Sequence, residues 1–503
     1  MSWIVGDGFD YYGNVADLAR SVWDTVPNSP SLGSVALTTK PARFSPGQYV
    51  YGSGANYTWG TKTIGSNETT LYIAVAVYME GAPLGAYAGV YFKFLDAGAA
   101  QCTIVLEATG NIVLKRGDQN GTVVATYTAA MPQDLWQHFQ FKVVIDPTAG
   151  TFTVRKNGAP TDTFTATALN TRATANSYAN SFAWGNGSVS ANYFRIDDLL
   201  VYSGSGAAPN TWVGDTRAIC LPAVADSAVQ FTATPGGTQA VASGSNVINQ
   251  AFNANEINFT NTITPTRGGL LSNITLSLQS GVTGNLQAAI YLGDGGGGYP
   301  GTRMAVSTAV TNPGAGTVTF TFPAGTYLSP GNTYVWAILA NVAFTAMSAT
   351  ATRWYKAQPY ASGFPDPAGA ISTDAATRFP YMVATLTGNC LMVSELLANG
   401  DTDYVLSATP TQQDLYDVAD LVGVTAQAII GVVSKIYVKK SDAGARTGQL
   451  QVVSGATTVT GVDTALSSTY SYLSRVDTTD PNTAAAWTLA GVAGIKVGAK
   501  VTS

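Results

Sequence analysis

Residues 136–146 read WQHFQFKVVID, and the alternation within them sets the fold class. A period of two puts Phe139, Phe141, Val143 and Ile145 on one face and Trp136, His138, Gln140 and Lys142 on the other, the pattern of a strand with one face in a core. Working outward, residues 151–156 (TFTVRK) run into Asn157-Gly158, a dipeptide suited to a tight hairpin. Upstream, residues 71–78 (LYIAVAVY) and 88–95 (AGVYFKFL) are rich in the aromatic and β-branched residues that fit a pleated surface. Helical periodicity is scarce, with Val15–Trp23 and Gln412–Leu421 the best short candidates, the second equally readable as an irregular turn. The chain is therefore expected to be all-β, a tandem of sandwiches.

Residues 194–202 (FRIDDLLVY) set two adjacent carboxylates in an apolar run. The apolar phase slips from Phe194 and Ile196 to Leu199 and Val201, which predicts a bulge or a strand covered on both faces. Neighbours in a regular strand point to opposite sides, so Asp197 and Asp198 are expected to diverge. Two carboxyls that work on one glycosidic bond must face each other at about 5–10 Å. Ligation of calcium or another cation is the weaker alternative for this pair, and a structural calcium stays open.

The succession of GFDYYG near the N-terminus, WQHFQFKVVID, the hairpin TFTVRKNG and FRIDDLLVY resembles the laminin-G-like, concanavalin-A-like jelly roll over residues 1–205. Further on, TWVGDTRAICLP, then MVSELLANGDTDYVLSATPTQQDLYDVADL and the tail AQAIIGVVSKIYVKK to the C-terminus are similar to a module of tailed-bacteriophage virion proteins that follows such a domain. In those relatives, the resemblance implies, the two parts of the module lie close together in sequence. Here a run of short strands with turn signals intervenes, which reads as one more sandwich. The expected organisation is a jelly roll at 1–205, a linker and first part of a C-terminal domain at 206–229, an inserted sandwich at 230–389 and the rest of the C-terminal β-domain, for docking or oligomerisation, at 390–503. Insertion is tolerated when the ends of the inserted piece lie close together.

Composition narrows the function classes. Charged residues make up 11% of 503 residues, the net charge is −5, and 25 Lys plus Arg give no basic footprint for a phosphate backbone. Nucleic-acid binding is not expected. Cys102, Cys220 and Cys390 form no CxxC or Cys/His set and the chain has a single histidine, so zinc is disfavoured. Between Cys220 and Cys390, two thiols suit assembly in a reducing cytosol better than a disulfide. No basic-then-apolar leader opens the sequence and no window approaches 18 uninterrupted apolar residues, so membrane insertion is not expected.

Candidate sites are few. Glucanases of the concanavalin-A-like group carry acids two and four apart on one strand, whereas Glu68, Glu80 and Glu107 stand apart from other acids here. His138 has neither a Gly-x-Ser-x-Gly elbow nor an activated cysteine beside it. Trp136, sharing its face with His138, offers a ring on which a sugar could stack, or a cover for a neighbouring segment. Residues 293–301 (GDGGGGYPG) lack the Lys-Ser/Thr and the helix of a phosphate loop and read as a sandwich-tip loop. Arg116-Gly117-Asp118 reads as a hairpin turn. Trp354, Tyr355, Tyr360 and Phe364 in the loop WYKAQPYASGFPDP suit either a recognition surface or an interface.

The expected protein is a non-enzymatic bacteriophage virion component without a cofactor, assembled in the host bacterial cytoplasm. A tail fibre or tail-associated adhesin holding host-surface polysaccharide comes first. A capsid decoration or head-fibre protein comes second and a glycan depolymerase last. Other virion proteins are the expected partners, and fibre analogy suggests a homo-oligomer, a trimer.

Overall fold

Sequence alternation becomes two facing sheets in the computed structural model. It describes residues 3–9, 12, 18, 21–26, 43, 50–51, 57–80, 88–187, 194–234, 238–244, 248–265, 269–295, 299–323, 326–328, 332–350, 353–374, 378–394, 401, 403–421 and 428–503. The chain divides into two compact units, one of Met1–Leu221 and Asp420–Ser503, the other of Pro222–Glu395 and Gly400–Ala419.

In the first unit, one sheet runs β1 (Trp3–Asp7), β13 (Phe194–Ser203), β4 (Thr70–Met79), β9 (Trp136–Val144), β10 (Gly150–Lys156) and β11 (Phe164–Leu169), with β2 (Val50–Tyr51) also on β13. The other runs β3 (Tyr57–Glu68), β12 (Ala179–Asn186), β5 (Ala88–Asp96), β6 (Ala99–Glu107), β7 (Ile112–Arg116) and β8 (Thr122–Tyr127). Every pairing is antiparallel, and strands distant in sequence lie side by side, as in a jelly roll. Phe139, Phe141 and Val143 of β9 enter the core between the sheets with Phe92, Phe94, Phe152, Phe182 and Trp184. Trp184 stands edge-on to Trp59 at 5.1 Å and tilts against Trp23 at 5.5 Å. Gly60 lets these rings approach: a Cβ there would lie 2.7 Å from the Trp184 indole nitrogen and 2.8 Å from Trp23. Just before the GFDYYG segment, the buried Asp7 carboxylate accepts from Tyr12 Oη (2.6 Å), Trp23 Nε1 (3.0 Å) and the Phe9 amide (3.0 Å).

The remainder of this unit is a ribbon of Val432–Val438 with Ser471–Asp477 and a small sheet of Thr447–Ser454, Thr457–Thr460 and Lys496–Val501. Ile436, Val438 and Leu473 face Leu450 and Val452 in a separate small core. On the other face Lys435 reaches Ser21 (3.3 Å), and burial lowers its amine to about 8. The five-residue helix Leu489–Ala493 starts at Thr488, whose hydroxyl accepts the Gly491 amide.

The second unit is another sandwich. One sheet is built on Thr238–Ala242, Met382–Thr387, Gly269–Leu278, Phe344–Thr350 and Ile248–Phe252, the facing one on Arg303–Val306, Asn285–Leu292, Tyr334–Ala340, Glu256–Phe259, Arg353–Ala357 and Ser372–Asp374. Thr238–Ala242 pairs with Val383–Thr387, which sets residues 238–242 beside residues 383–387. Asp226 accepts the amides of Asn389 (3.0 Å) and Cys390 (2.7 Å). The helix candidate Gln412–Leu421 is instead a strand over Gln413–Val418, paired with Ala223–Ala228. Its buried Asp414 accepts from the amides of Gln230 and Phe231, from Asn389 and from the nearby Tyr416, and the long-range bonds among these override the weak helical pattern. The other helix candidate, Val15–Trp23, falls largely outside the described residues.

Candidate functional site

The polar face of β9, where the sequence placed Trp136 and His138, is organised by residues 212–218. These cross the outside of the sheet as a strap. Trp212 stands edge-on to Tyr72 at 5.3 Å, and Tyr72 stacks on Tyr202 at 5.0 Å. Arg155 covers Trp212, its guanidinium 4.4 Å from the ring centroid. The Gln140 side-chain carbonyl accepts the amides of Val213 (2.8 Å) and Gly214 (3.1 Å).

His138 is 1% exposed beneath this strap. The Thr216 amide donates to Nε2 at 3.2 Å, so Nε2 carries the lone pair and Nδ1 the proton, with the Asp215 carboxylate 3.7 Å from Nδ1. The Thr216 hydroxyl also lies 2.8 Å from Nε2. Burial, with Arg43 adding to it and Asp215 opposing, pulls the imidazole down to about 3. A neutral, sealed ring cannot contact a sugar, so His138 is structural and the possible glycan or partner contact there gives way.

The aspartate pair lies in the bulge that the phase slip predicted. Asp197 opposes Ala76, the register then slips, and Leu200 opposes Ala74, with Asp198 in the left-handed region at φ 51°. Because Ile196 and Leu199 both enter the core, neither aspartate does, and the strict opposition expected of a regular strand does not hold. Their partners nevertheless differ. The Asp197 carboxylate accepts the Asp198 amide (2.8 Å), whereas Asp198 accepts the Ala218 amide of the strap (2.7 Å) and pairs with Arg43 (2.8 Å). Burial pushes the Asp198 carboxyl up against the pull of these donors. Arg43, which also pairs with Asp215 and donates to the Thr216 carbonyl, stands where a cation would, so Asp198 does not fit as a calcium ligand. Among the described residues no three His, Cys, Asp or Glu side chains gather as a metal site.

At the end of β9, Trp136 is half-buried. Its ring lies 5.6 Å from that of Tyr78, whose hydroxyl donates to Asp134 (3.1 Å). Arg195 packs over the other side of this group, 5.1 Å from the Tyr78 centroid, and pairs with Glu80. Aromatic rings edged by two carboxylates and a guanidinium combine an apolar platform with planar hydrogen-bonding groups, the equipment that orients a polyol. Sequence reasoning found Trp136 but missed its near neighbour Asp134 and, from two other segments, Tyr78 with Glu80 and Arg195.

The aromatic loop of the second unit does different work from either expectation. Trp354 and Phe364 are buried with Ile257, Phe259, Tyr291 and Val335 on the sheet face turned away from the main core, and Tyr360 packs against them half-buried. The Tyr291 hydroxyl donates to the Pro365 carbonyl (2.8 Å), the Arg303 amide to Asp366 (2.9 Å) and Lys356 to the Ala368 carbonyl (2.6 Å). The loop is thus a third layer on the sandwich. Tyr355 is half-buried on Arg353–Ala357 and Tyr299, 37% exposed, lies 5.0 Å from Trp354. In the glycine-rich loop, Asp294 accepts the amide and hydroxyl of Thr302, and the strand Arg303–Val306 follows where a phosphate loop needs a helix; residues 296–298 lie outside the described residues. Arg116-Gly117-Asp118 turns between β7 and β8, Asp118 accepting the Asn120 amide.

No protein-family model matches the chain, and no characterised protein matches it by sequence. Solved structures with partial likeness include the carbohydrate-binding module CBM66 from Bacillus subtilis, 8% identical over 32% of this chain and 90% of that one, with a TM-score of 0.22. The exoplasmic/lumenal domain of VIP36 in its Ca2+/Man3GlcNAc-bound form is 11% identical over 33% of this chain and 82% of that one (TM-score 0.24). A Trypanosoma rangeli sialidase in complex with the inhibitor DANA is 10% identical over 31% of this chain but only 25% of that one (TM-score 0.22).

Proposed function

We propose that the chain is a non-enzymatic structural protein of a tailed-bacteriophage virion, a tail-fibre or tail-associated adhesin that attaches to the particle and holds host-surface glycan at Trp136. The observation that carries the binding half is the half-buried Trp136 ring, backed by the buried Tyr78 and Arg195 and edged by Asp134 and Glu80. A pyranose presents an apolar C–H face to such rings and hydroxyls to the flanking carboxylates. The virion half rests on the order of the sequence segments after residue 205. A non-catalytic role is favoured because the acid/base candidates are spent on contacts within the chain: Asp198 on Arg43 and Ala218, His138 on Thr216.

Two measurements test this. On a glycan array and on host cells the purified chain binds, and Trp136→Ala loses at least tenfold in affinity with its circular dichroism unchanged; binding that survives the substitution removes the site. Immunogold labelling of intact particles places the chain on the tail. Label on the head transfers it to decoration, absence of label refutes the virion reading, and release of reducing ends from host polysaccharide replaces it with a depolymerase.

A further inference from the structure

Sheet edges are ready templates for pairing, and proteins blunt them with charge, proline, bulges or cover. On one side of the jelly roll the edges are blunted. β3 carries Lys62 and Glu68, the Thr25–Thr61 bridge runs along it, and Lys62 pairs with Asp24 (2.8 Å). β1 ends in Asp7. On the other side the two sheets end in β8 (TVVATY) and β11 (FTATAL), neither of which contains a charge or a proline. These edges lie together, with Tyr127 stacked on Phe164 at 5.2 Å.

Both strands are exposed. Val123 is 52% exposed, and Thr122, Thr126, Thr165, Thr167 and Ala168 are also on the surface. Among the described residues no further strand pairs with either edge. Among the described residues the only blunting device is one register slip in each, between Leu114 and Lys115 opposite β8 and between Gly150 and Phe152 opposite β11. Six-residue strands of this composition have the length and β-propensity of ordinary sheet members.

We propose that this side of the sandwich is a two-fold interface with a second copy of the chain, in which β8 pairs antiparallel with its own copy and β11 comes to lie beside its counterpart. The occupant follows from charge: two uncharged edges offer a charged partner nothing to complement, while like-on-like pairing brings no repulsion. Around a two-fold axis the same patch serves both copies, and it places Thr and Val side chains opposite one another, pairs that favour a sheet. The contact makes a dimer or an even-numbered assembly, in place of the trimer suggested by fibre analogy.

Sedimentation equilibrium and native mass spectrometry of the full chain at micromolar concentration test it. The wild-type chain runs as a dimer. Thr126→Lys and Thr165→Lys, both at exposed positions, shift it to monomer with unchanged circular dichroism and thermal midpoint. Val462→Lys, an equal charge change at a residue 84% exposed elsewhere, leaves the dimer intact. A second variant, Val123→Cys, forms an intermolecular disulfide on mild oxidation that appears on denaturing gels. A monomeric wild type, a trimer, or a dimer that persists in both lysine variants overturns the proposal.

Discussion

His138 is the one histidine of the chain, so its protonation can be followed without ambiguity. Folding holds its imidazole at about 3 against an ordinary value of 6.5. Between those values the unfolded chain takes up a proton that the folded chain refuses, so stability is complete above 6.5 and falls as the pH drops below it. Each pH unit costs about 1.36 kcal/mol, which makes the loss about 2 kcal/mol by about pH 5 and about 4 kcal/mol near pH 3. Carboxyls titrate in the same range, and Asp198 and Asp226, raised by burial, act in the opposite direction. The informative quantity is therefore a difference. His138→Gln keeps an acceptor for the Thr216 amide but no ionisation. It should cost about 1 kcal/mol near neutrality, the worth of an imperfectly replaced hydrogen bond. As the pH falls to about 5, urea unfolding followed by tryptophan fluorescence should bring the two proteins together and then favour the variant by about 1 kcal/mol. The imidazole signals in NMR should show no titration near 6.5. Parallel pH profiles for wild type and variant, or a histidine that titrates at its ordinary value, would refute the sealed strap.

Three further outcomes follow from packing. Phe364→Ala strips the third layer from the second sandwich and should cost that unit about 3–5 kcal/mol in calorimetry while leaving glycan binding unchanged. Gly60→Ala forces a Cβ within 2.7 Å of Trp184 and should cost about 1–3 kcal/mol, read as a lower urea midpoint. None of the three cysteines is in a disulfide, and burial pushes the Cys102 and Cys390 thiols up to about 12. A thiol reagent should therefore label the half-buried Cys220 first and the other two only on unfolding.

Much of the sandwich was legible because period-two patterning is local. WQHFQFKVVID named its own core face, and the slip in FRIDDLLVY located a bulge before any coordinates. The covers were harder to see. Residues 206–229 read as a linker and the first part of a later domain, and little in them announces that Trp212 to Ala218 bind the sheet. The signal sat elsewhere, in LYIAVAVY and in YVWAIL, which are apolar on both faces and so require burial on both. Each has its cover: the strap over Tyr72 and Ala74, the aromatic loop over Val335 and Ala337. The polyol-suited cluster was legible only at Trp136, since Tyr78, Glu80 and Arg195 reach it through strand pairing between distant segments.

The strap also fixes where this protein can be cut. A fragment ending at residue 205 would keep every strand of the jelly roll yet lay bare Tyr72, Leu200 and Tyr202 and leave Gln140 and His138 without their amide donors. Such a fragment should be sticky and poorly soluble, whereas one carried through residue 221 keeps its own lid. For grafting this sandwich onto another protein, the working seam lies after the strap, and the apparent spacer travels with the module.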